Sequence, residues 1–281
     1  MFSNAARYLT LIALLALTFS SCSKTPSSAK PDLKKALLAR WPADTNSGPD
    51  LISRQAVLTG DVSVVSFKSA QAWSFDGNTG RVITPDFRDM HFGAGQDFSV
   101  AAWIKPERST TDFGVMSIVE KRRVGGIATA LGFSFHLEYG HLSCQLSPYA
   151  STKWKLSDFT TPARIIAAWQ RRNALGPVSR FVSSGSDLRD GQFHHVAMTL
   201  ERNSKTGGKL YVDGIAVLTF DPTPQSGSLI NREPILIGNH PDSTLHCAFK
   251  GVIGDVRIYF RALTSTEVEL LNGSPERPAA P

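Results

Sequence analysis

Apolar and polar residues alternate in short stretches from Leu37 onward, with the period of a β-strand that buries one face. Clear examples are "LLARW", "DFSVAAWIKP" and "HHVAMTL". Turn dipeptides join neighbouring stretches: Tyr139-Gly140 marks one predicted hairpin and Asp213-Gly214 another. Many short strands with polar turns predict an all-β domain, either a β-sandwich or a jelly roll, over residues 36–272.

The stretch 250–271 changes from a strand pattern to a helix pattern. Asp255 interrupts an apolar strand, on the face opposite Val252, Val256 and Ile258. Thr264 and Glu267 have the spacing of a capping box, which predicts the start of a helix. Its expected end is a left-handed Gly273, and its expected packing face is Val268, Leu270 and Leu271.

The first 21 residues have the order of a secretory signal: a basic Arg7, an apolar run over residues 9–19, then small residues. That run is shorter than the roughly 20 residues that span a bilayer. Because Ser20 and Ser21 directly precede Cys22, the segment resembles a bacterial lipobox, after which Cys22 becomes a lipidated first residue. Ordinary secretion and an uncleaved anchor are the alternatives. We therefore expect a protein lipid-anchored to the bacterial cell envelope, facing the periplasm or the cell surface.

Three further segments depart from the strand pattern. Residues 22–35 are polar and rich in Pro and Ser, which predicts a flexible tether, and residues 273–281 are expected to be a disordered tail. Residues 150–192 form an irregular insertion, in which periodicity does not separate a short helix from a strand. Insertions on a rigid scaffold commonly carry function.

Charge and cysteines add two constraints. The net charge of +6 is mild, and the chain has no long block of like charge and no nucleic-acid-binding motif, so we expect no nucleic-acid partner. Beyond Cys22, the chain has Cys144 and Cys247. In an exported protein this pair can form a disulfide, but both positions also suit buried free thiols, and the sequence leaves the choice open.

Seven segments in order resemble laminin-G-like domains of the concanavalin A-like lectin/glucanase type: "LLARWPAD", "AWSFDG…RVITPD", "DFSVAAWIKP", "DGQFHHVAMTL", "LYVDGIAV", "PILIGN" and "FKGVIGDVRIYFRALTSTEVELL". The resemblance covers about residues 36–272. It implies a concanavalin A-like jelly-roll β-sandwich of two antiparallel sheets, one concave and one convex, with one short C-terminal helix. This fold hosts lectins, glycoside hydrolases, adhesion modules and structural domains, so a specific function does not follow.

The resemblance also implies a structural calcium ion. Related jelly rolls often bind calcium with an Asp of the last strand, an acidic residue near the N-terminus and a backbone carbonyl of an early turn. The matching positions are Asp255, Asp44 and Gly77. Calcium takes six to eight oxygen ligands, which carboxylates, carbonyls and waters supply. The alternative is that Asp255 and Arg257 lie on the solvated face of a half-exposed strand.

No pattern predicts catalysis. A retaining glycosidase needs two carboxylates about 5 Å apart, and laminarinase-type enzymes place them as Glu-x-Asp-x-Glu on one strand, which this chain lacks. Glu120 in "SIVEKRR" and Glu138 in "HLEYGHL" are single acids. We interpret His136, Glu138 and His141 as polar residues near a turn, and residues 120–123 as a solvated basic loop. The expectation is therefore a protein that is not an enzyme.

The tryptophans divide into two groups. Three lie in predicted strands and are expected to be buried: Trp41, Trp73 and Trp103. Trp154 and Trp169 lie in the insertion, near Arg171 and Arg172. An aromatic ring beside a guanidinium can stack on a sugar and hold its carboxylate or sulfate. The alternative is that both rings attach the insertion to the sheet.

These observations lead to the hypothesis of a non-catalytic carbohydrate- or protein-binding lipoprotein, whose partner is a glycan or an envelope protein. Two alternatives remain open at this point: a polysaccharide-active enzyme, either a glycoside hydrolase or a lyase, on the same fold, and a purely structural envelope protein.

Overall fold

The computed structural model describes residues 32–42, 55–67, 70–108, 114–124, 130–148, 180–242 and 246–273. The chain divides into Met1–Pro31 and Asp32–Pro281, and every described residue belongs to the second unit. The signal, the lipidation site, the C-terminal tail, most of the tether and most of the insertion lie outside the described residues. No helix in the described ranges has both the length and the hydropathy needed to cross a membrane.

Eight strands form one sheet in which every pair is antiparallel. They are β1 Leu37–Trp41, β3 Val62–Phe67, β4 Ala70–Asp76, β6 Phe98–Pro106, β11 His194–Leu200, β12 Gly208–Val212, β13 Ile215–Phe220 and β15 Lys250–Tyr259. Their order is β13-β12-β11-β6-β15-β4-β3, and β1 also pairs with β15. β15 therefore pairs with three other strands: β1, β4 and β6.

Seven strands form the second sheet, which is also antiparallel. They are β2 Val57–Thr59, β5 Arg81–Thr84, β7 Val115–Val124, β8 Ala130–Glu138, β9 His141–Ser147, β10 Arg180–Val182 and β14 Ile235–Ile237, in the order β10-β9-β8-β7-β14-β5-β2. Two helices, α1 Leu33–Ala36 and α2 Ser265–Asn272, and 3-10 turns at Arg88–Met90 and Thr223–Gln225 complete the described elements. The predicted jelly-roll β-sandwich of two antiparallel sheets is confirmed.

The main core lies between the sheets, because alternate residues of each strand point inward. Phe98, Val100 and Phe135 belong to it, as do Trp41 and Trp73. Trp103 is instead buried on the outer face of the eight-stranded sheet, where its ring centroid lies 5.2 Å from that of His195. Predicted burial of the three strand tryptophans is therefore confirmed, on two different faces.

Both predicted hairpins have the expected turn geometry. Tyr139 and Gly140 have φ values of 50° and 86°, and Asp213 and Gly214 have values of 50° and 83°. Two consecutive left-handed residues are what a type I′ turn requires, and this turn matches the twist of the strands that it joins.

Helix α2 covers the outer face of the eight-stranded sheet. The capping box is confirmed: Thr264 and Glu267 each accept a hydrogen bond from the other's backbone N–H. The predicted left-handed end is wrong, because Gly273 has φ −83°. Val268 and Leu271 are buried, but Leu270 is 49% exposed and is not part of the packing face. The buried pair packs in a second apolar cluster with Ala36, Ala101, Ala197, Tyr211, Tyr259 and Leu263.

Asp255 occupies a β-bulge in β15. The pairing with β6 shifts between Gly254 and Arg257, and Asp255 has φ 45°, in the left-handed region. The bulge changes the alternation, so that Ile253 and Val256, three residues apart, both face the main core. The prediction that Val252 shares a face with Val256 is therefore wrong, because one extra residue in a strand moves the residues before it to the opposite face.

The Asp255 side chain is buried and paired with two arginines. Its Oδ1 lies 2.6 Å from Arg40 Nε of β1, and its Oδ2 lies 2.5 Å from an Arg257 NH2 nitrogen. Burial raises the pKa of this carboxyl, but the charges of Arg257 and Arg40 and their hydrogen bonds outweigh it and lower the pKa below its ordinary value. The expectation of a solvated face at Asp255 and Arg257 is wrong.

The structure has Cys144 and Cys247 as buried thiols, not as a disulfide. Cys144 faces the main core, where burial raises the pKa of its thiol well above the ordinary value. A buried thiol in an apolar environment is inert and packs as a small hydrophobic side chain.

We predict that Asp255→Asn destabilises the fold by about 3–5 kcal/mol, because it leaves two guanidinium groups without a counter-charge in a buried site. Asn tolerates the left-handed backbone, so the substitution tests the charge rather than the bulge. Urea unfolding measures the loss. Asp61→Asn, at an exposed position, is the control and should stay close to wild type, and a loss under about 1 kcal/mol in Asp255→Asn would contradict the prediction.

Candidate functional site

The predicted contact residues of the insertion, Trp154, Trp169, Arg171 and Arg172, lie outside the described residues, as does Asp44. Their roles stay predictions.

The described part of the predicted calcium site does not fit one ion. Gly77 follows Asp76, which pairs with Lys250, and Asp255 lies five residues further along the same strand. At about 3.3 Å per residue these positions are roughly 16 Å apart, too far for a shared ion whose ligands lie within about 2.6 Å. Both carboxylate oxygens of Asp255 also already contact arginines.

A network of polar side chains occupies the outer face of the seven-stranded sheet. Strands β7, β8 and β9 give Val119, Phe135 and Cys144 to the core, and the register places their alternate residues together on the opposite face. We call these side chains the outer-face network: Ser117, Glu120, Arg122, Ser134, His136 and Gln145.

Glu120 is the centre of the network and is fully buried. Its Oε2 lies 2.8 Å from Arg122 Nε, which makes a buried ion pair. Its Oε1 accepts hydrogen bonds from the hydroxyls of Ser134, at 2.7 Å, and Ser117, at 3.0 Å. The carboxylate charge is thus balanced within the network, as a buried charge requires.

Gly132 lies opposite Arg122 on β8. Arg122 reaches β9, where its NH1 nitrogen donates to Gln145 Oε1 at 2.8 Å. Gly132 has φ +130°, and a Cβ there would meet the Lys121 carbonyl oxygen at 2.0 Å. The close approach of β7 and β8 therefore requires glycine at this position.

His136 presents a hydrogen-bond acceptor from within the network. Ser134 Oγ lies 2.8 Å from His136 Nδ1. Because the single Ser134 hydroxyl proton goes to the Glu120 carboxylate, Nδ1 must donate, and Nε2 of the neutral ring is left as an acceptor. Burial and the charges of Arg122, Arg180 and His240 lower the pKa of His136 to about 3, so the ring is neutral at physiological pH.

His240, after β14, contacts the backbone of Asp242 through its Nδ1. The backbone N–H of Asp242 donates to His240 Nδ1 at 2.9 Å. The same Nδ1 lies 3.1 Å from the Asp242 carbonyl oxygen, to which it donates in the other tautomer of the ring. Burial lowers the pKa of His240, with an opposing contribution from Glu120 and a further lowering by Arg122. His240 is 4% exposed and interacts electrostatically with His136.

The outer face of the sheet differs on the two sides of the network. Toward β2, the same face is apolar: the register places Leu236, Ile83 and Val57 there, and Val57 is 51% exposed. Toward β10, the face opens to solvent, with an exposed Val182 and a largely exposed Arg180. The face is therefore buried at its centre and open at both edges.

The sequence interpretation of residues 120–123 as a solvated loop is wrong. Glu120, Lys121 and Arg122 lie within β7 and are 0%, 2% and 8% exposed. Lys121 points to the opposite face, where its Nζ contacts Asp86 Oδ1 at 2.8 Å and the Glu233 carbonyl at 2.9 Å. A run of charged residues in the sequence does not reveal that a strand continues through it.

The acidic groups of this face are too far apart for a glycosidase pair. Glu120 lies opposite Ser134, four residues from Glu138 along β8, which puts the two Cα atoms about 14 Å apart. A retaining pair needs about 5 Å and an inverting pair about 6.5–9.5 Å. Glu138 and His141 share the face with His136, but Glu138 pairs with Arg180 at 3.2 Å. Within the described residues no His, Cys, Asp and Glu cluster suits a metal ion.

We predict that His136 makes the fold sensitive to acid. The pKa of His136 is about 3 and that of His195, lowered by burial and Arg257, is about 4. The unfolded chain protonates each near pH 6.5, so stability falls as pH drops below 6.5, by about 2 kcal/mol per histidine at pH 5. His136→Asn should reduce the pH slope of unfolding free energy by about 1.4 kcal/mol per unit between pH 6 and 5.

His194 provides the control, with the opposite sign. The hydrogen bond to Asp213, at 2.8 Å, and the one to Asp190 outweigh burial and raise the pKa of His194. Its stabilisation is present below pH 6.5 and is lost as pH rises through the raised pKa. His194→Gln should therefore remove the loss of stability above pH 6.5 and leave the slope between pH 6 and 5 nearly unchanged. An unchanged slope between pH 6 and 5 in His136→Asn would contradict the assignment of His136.

Solved structures with the same fold include binding domains of bacterial toxins. The binding domain of Paraclostridial Mosquitocidal Protein 1 has a TM-score of 0.60 at 17% identity, covering 85% of this chain and 52% of that chain. The receptor binding domain of botulinum neurotoxin C/D mosaic serotype has a TM-score of 0.58 at 13% identity, covering 85% and 51%. The ligand binding domain of botulinum neurotoxin serotype D, in complex with N-acetylneuraminic acid, has a TM-score of 0.58 at 11% identity, covering 85% and 51%.

The chain thus spans about half the length of these structures, and at such identities the similarity shows the fold alone. No curated protein matches the chain. Residues 76–269 match the laminin-G family described as the concanavalin A-like lectin/glucanases superfamily. Since this match covers more than half of the 281 residues, the chain belongs to the concanavalin A-like lectin/glucanases superfamily.

Proposed function

We propose that this protein is a non-catalytic glycan-binding protein that a lipid anchors to the bacterial cell envelope. The observation that carries the binding role is the outer-face network, with five polar side chains around a fully buried Glu120. Ligand sites combine apolar surface with a few placed polar groups, and this face has both. The same fold in botulinum neurotoxin serotype D is solved in complex with N-acetylneuraminic acid.

The absence of catalysis is proposed from the acids of this face. Glu120 is held in an ion pair with Arg122 and Glu138 in one with Arg180. A general acid must carry a proton and a nucleophile must reach the sugar, and neither condition is met by a carboxylate held against a guanidinium. The solved neighbours with this fold are binding domains.

The envelope location is proposed from residues 1–22. Arg7, the apolar run and the small residues before Cys22 support export and lipidation. A lipid on Cys22 and the polar residues 23–35 would hold the domain at a membrane as a tether rather than as a span.

The insertion is proposed to add contacts at the binding face. Trp154 and Trp169 supply aromatic surface, and Arg171 and Arg172 supply guanidinium groups in the same segment. Stacking on a sugar ring needs a flat apolar surface, which the described outer-face residues of β7, β8 and β9 do not provide.

We predict that Trp154→Ala and Trp169→Ala each weaken glycan binding about tenfold, because each removes a stacking surface. A glycan array probed with the full chain identifies ligands, and calorimetry with an identified ligand gives the dissociation constants. Phe260→Ala, which removes a half-exposed aromatic ring next to β15, is the matched control. Equal affinity in both tryptophan variants and wild type would exclude these rings from the site.

We predict that Cys22 carries the lipid. In a bacterial host fed a labelled fatty acid, the full chain should incorporate the label and partition into the detergent phase of Triton X-114. Cys22→Ser should lose both properties, and Cys247→Ser, which changes a buried thiol, should keep both. A wild-type chain without label, or a labelled Cys22→Ser chain, would show that Cys22 is not the lipidation site.

A further inference from the structure

Tyr139 is an exposed aromatic residue at the turn between β8 and β9. It has φ 50° and is 63% exposed. A bulky residue is disfavoured in this left-handed region, whereas Asn, Asp and Gly adopt it readily. The second predicted hairpin has Asp213 at the equivalent position. Because residues held at such a backbone cost are concentrated at functional sites, the tyrosine side chain points to a function rather than to turn stability.

Gly114, which directly precedes β7, holds the Tyr139 ring in place. The Tyr139 N–H donates to the Gly114 carbonyl oxygen. A Cβ at Gly114 would collide with the ring carbons Cδ1, Cε1 and Cζ, so the ring lies directly against the Gly114 backbone. This contact fixes the ring, and most of its remaining surface is open to solvent. A fixed, exposed aromatic ring is a surface on which the apolar C–H face of a sugar can stack.

Two guanidinium groups meet one carboxylate beside the same turn. Asp187 lies against Gly140, where a Cβ would overlap the Asp187 Oδ1 atom. Oδ1 is 2.9 Å from Arg189 Nε, and Oδ2 is 3.0 Å from an Arg189 NH2 nitrogen. That nitrogen also donates to the Tyr139 carbonyl oxygen at 3.0 Å. A second guanidinium, that of Arg108 just after β6, contacts Oδ2 at 2.9 Å.

This group of charges has one positive charge in excess. The hydrogen bonds from Arg189 and the charges of Arg189 and Arg108 lower the pKa of Asp187 to about 2, so its carboxylate is ionised at physiological pH. The Arg108 side chain is 72% exposed, and its contact with Asp187 uses one nitrogen of the guanidinium. A guanidinium has five N–H donors, so Arg108 can also hold a carboxylate of a ligand.

The ring and the exposed guanidinium are close enough to contact one ligand. The contacts from Arg108 through Asp187 to Gly140 place the Arg108 guanidinium within about 12 Å of the Tyr139 Cα atom. Both side chains are exposed, so a short oligosaccharide can reach them without displacing a buried group. Arg122 of the outer-face network differs in this respect, because it is buried in its ion pair.

Resting on the proposed function, we propose that the β8–β9 turn is a contact site for acidic pyranose sugars, in which a sugar ring stacks on Tyr139 and a sugar carboxylate pairs with Arg108. The ligand class is a glycan with uronic or sialic acid units. Arg189 and Asp187 are positioning residues, which fix the turn and hold the Arg108 side chain beside it.

The test compares acidic glycans with neutral counterparts on the full chain. The acidic probes are hexagalacturonate and sialyllactose, and their counterparts are methyl-esterified hexagalacturonate and lactose. Calorimetry should show saturable binding of at least one acidic probe, and binding of its counterpart should be about tenfold weaker, because the ion pair with Arg108 is lost. Added salt should weaken binding of the acidic probe more than binding of the counterpart.

Two substitutions test the two contacts separately. Tyr139→Asn removes the ring but suits the left-handed turn, and it should weaken binding of the acidic probe about tenfold, whereas Tyr139→Phe keeps the ring and should bind nearly as wild type. Arg108→Gln should weaken the acidic probe about tenfold and leave the neutral counterpart unchanged. Arg123→Gln is the matched control, because it removes an exposed arginine at the other end of β7.

A measurement on the wild-type chain makes the result independent of variant folding. In the full chain labelled with 3-fluorotyrosine, the Tyr139 resonance is assigned by its absence in Tyr139→Phe. This resonance should shift when the acidic probe is added, and those of the buried Tyr211 and Tyr259 should stay in place.

The outcomes separate this inference from the proposed function. Preferred binding of an acidic probe, with a Tyr139 shift and losses in both Tyr139→Asn and Arg108→Gln, supports the site. Binding of the neutral counterparts as tightly as the acidic probes, or acidic binding that either substitution leaves unchanged, overturns this inference and leaves the proposed glycan-binding function standing. Binding of no glycan by the folded full chain overturns both.

Discussion

The bulge at Asp255 is the constraint on which the larger sheet depends. β15 pairs with β1, β4 and β6, so its register fixes the positions of three other strands. Ile253 and Val256 are an odd number of residues apart, and both reach the core only because one extra residue is inserted between them. The two arginines hold that residue in place by charge, and one of them, Arg40, ties the first strand to the last.

Strands and turns could be predicted because their signals are local. Alternation identifies β1, β6 and β11, and Asp213-Gly214 specifies its turn through the positive φ that both residues must adopt. The bulge could not be predicted, because a single inserted residue leaves the composition of the stretch unchanged. The same applies to the helix end, where Gly273 suits a left-handed stop but adopts a different conformation.

The candidate site was harder to predict than the fold, for a specific physical reason. A buried polar face and a solvated polar face have the same period-two pattern, so "EKRR" is typical of solvent exposure although Glu120 and Arg122 are buried. What separates the two cases is the partner across the sheet, and Ser134 and Gln145 are more than ten residues away in sequence. His240, which interacts electrostatically with Glu120 and Arg122, is further still in sequence.

The two outer faces of the sandwich differ in what covers them. On the eight-stranded sheet, Val268 and Leu271 of α2 pack with Ala36 at the end of α1 and with Leu263. The first and last described helices of the domain therefore meet on one side of the molecule, and the outer-face network lies on the other. A linker at either end of the described domain would therefore join it on the side where α1 and α2 pack in this apolar cluster. The outer-face network lies on the other sheet and so faces away from that point of attachment.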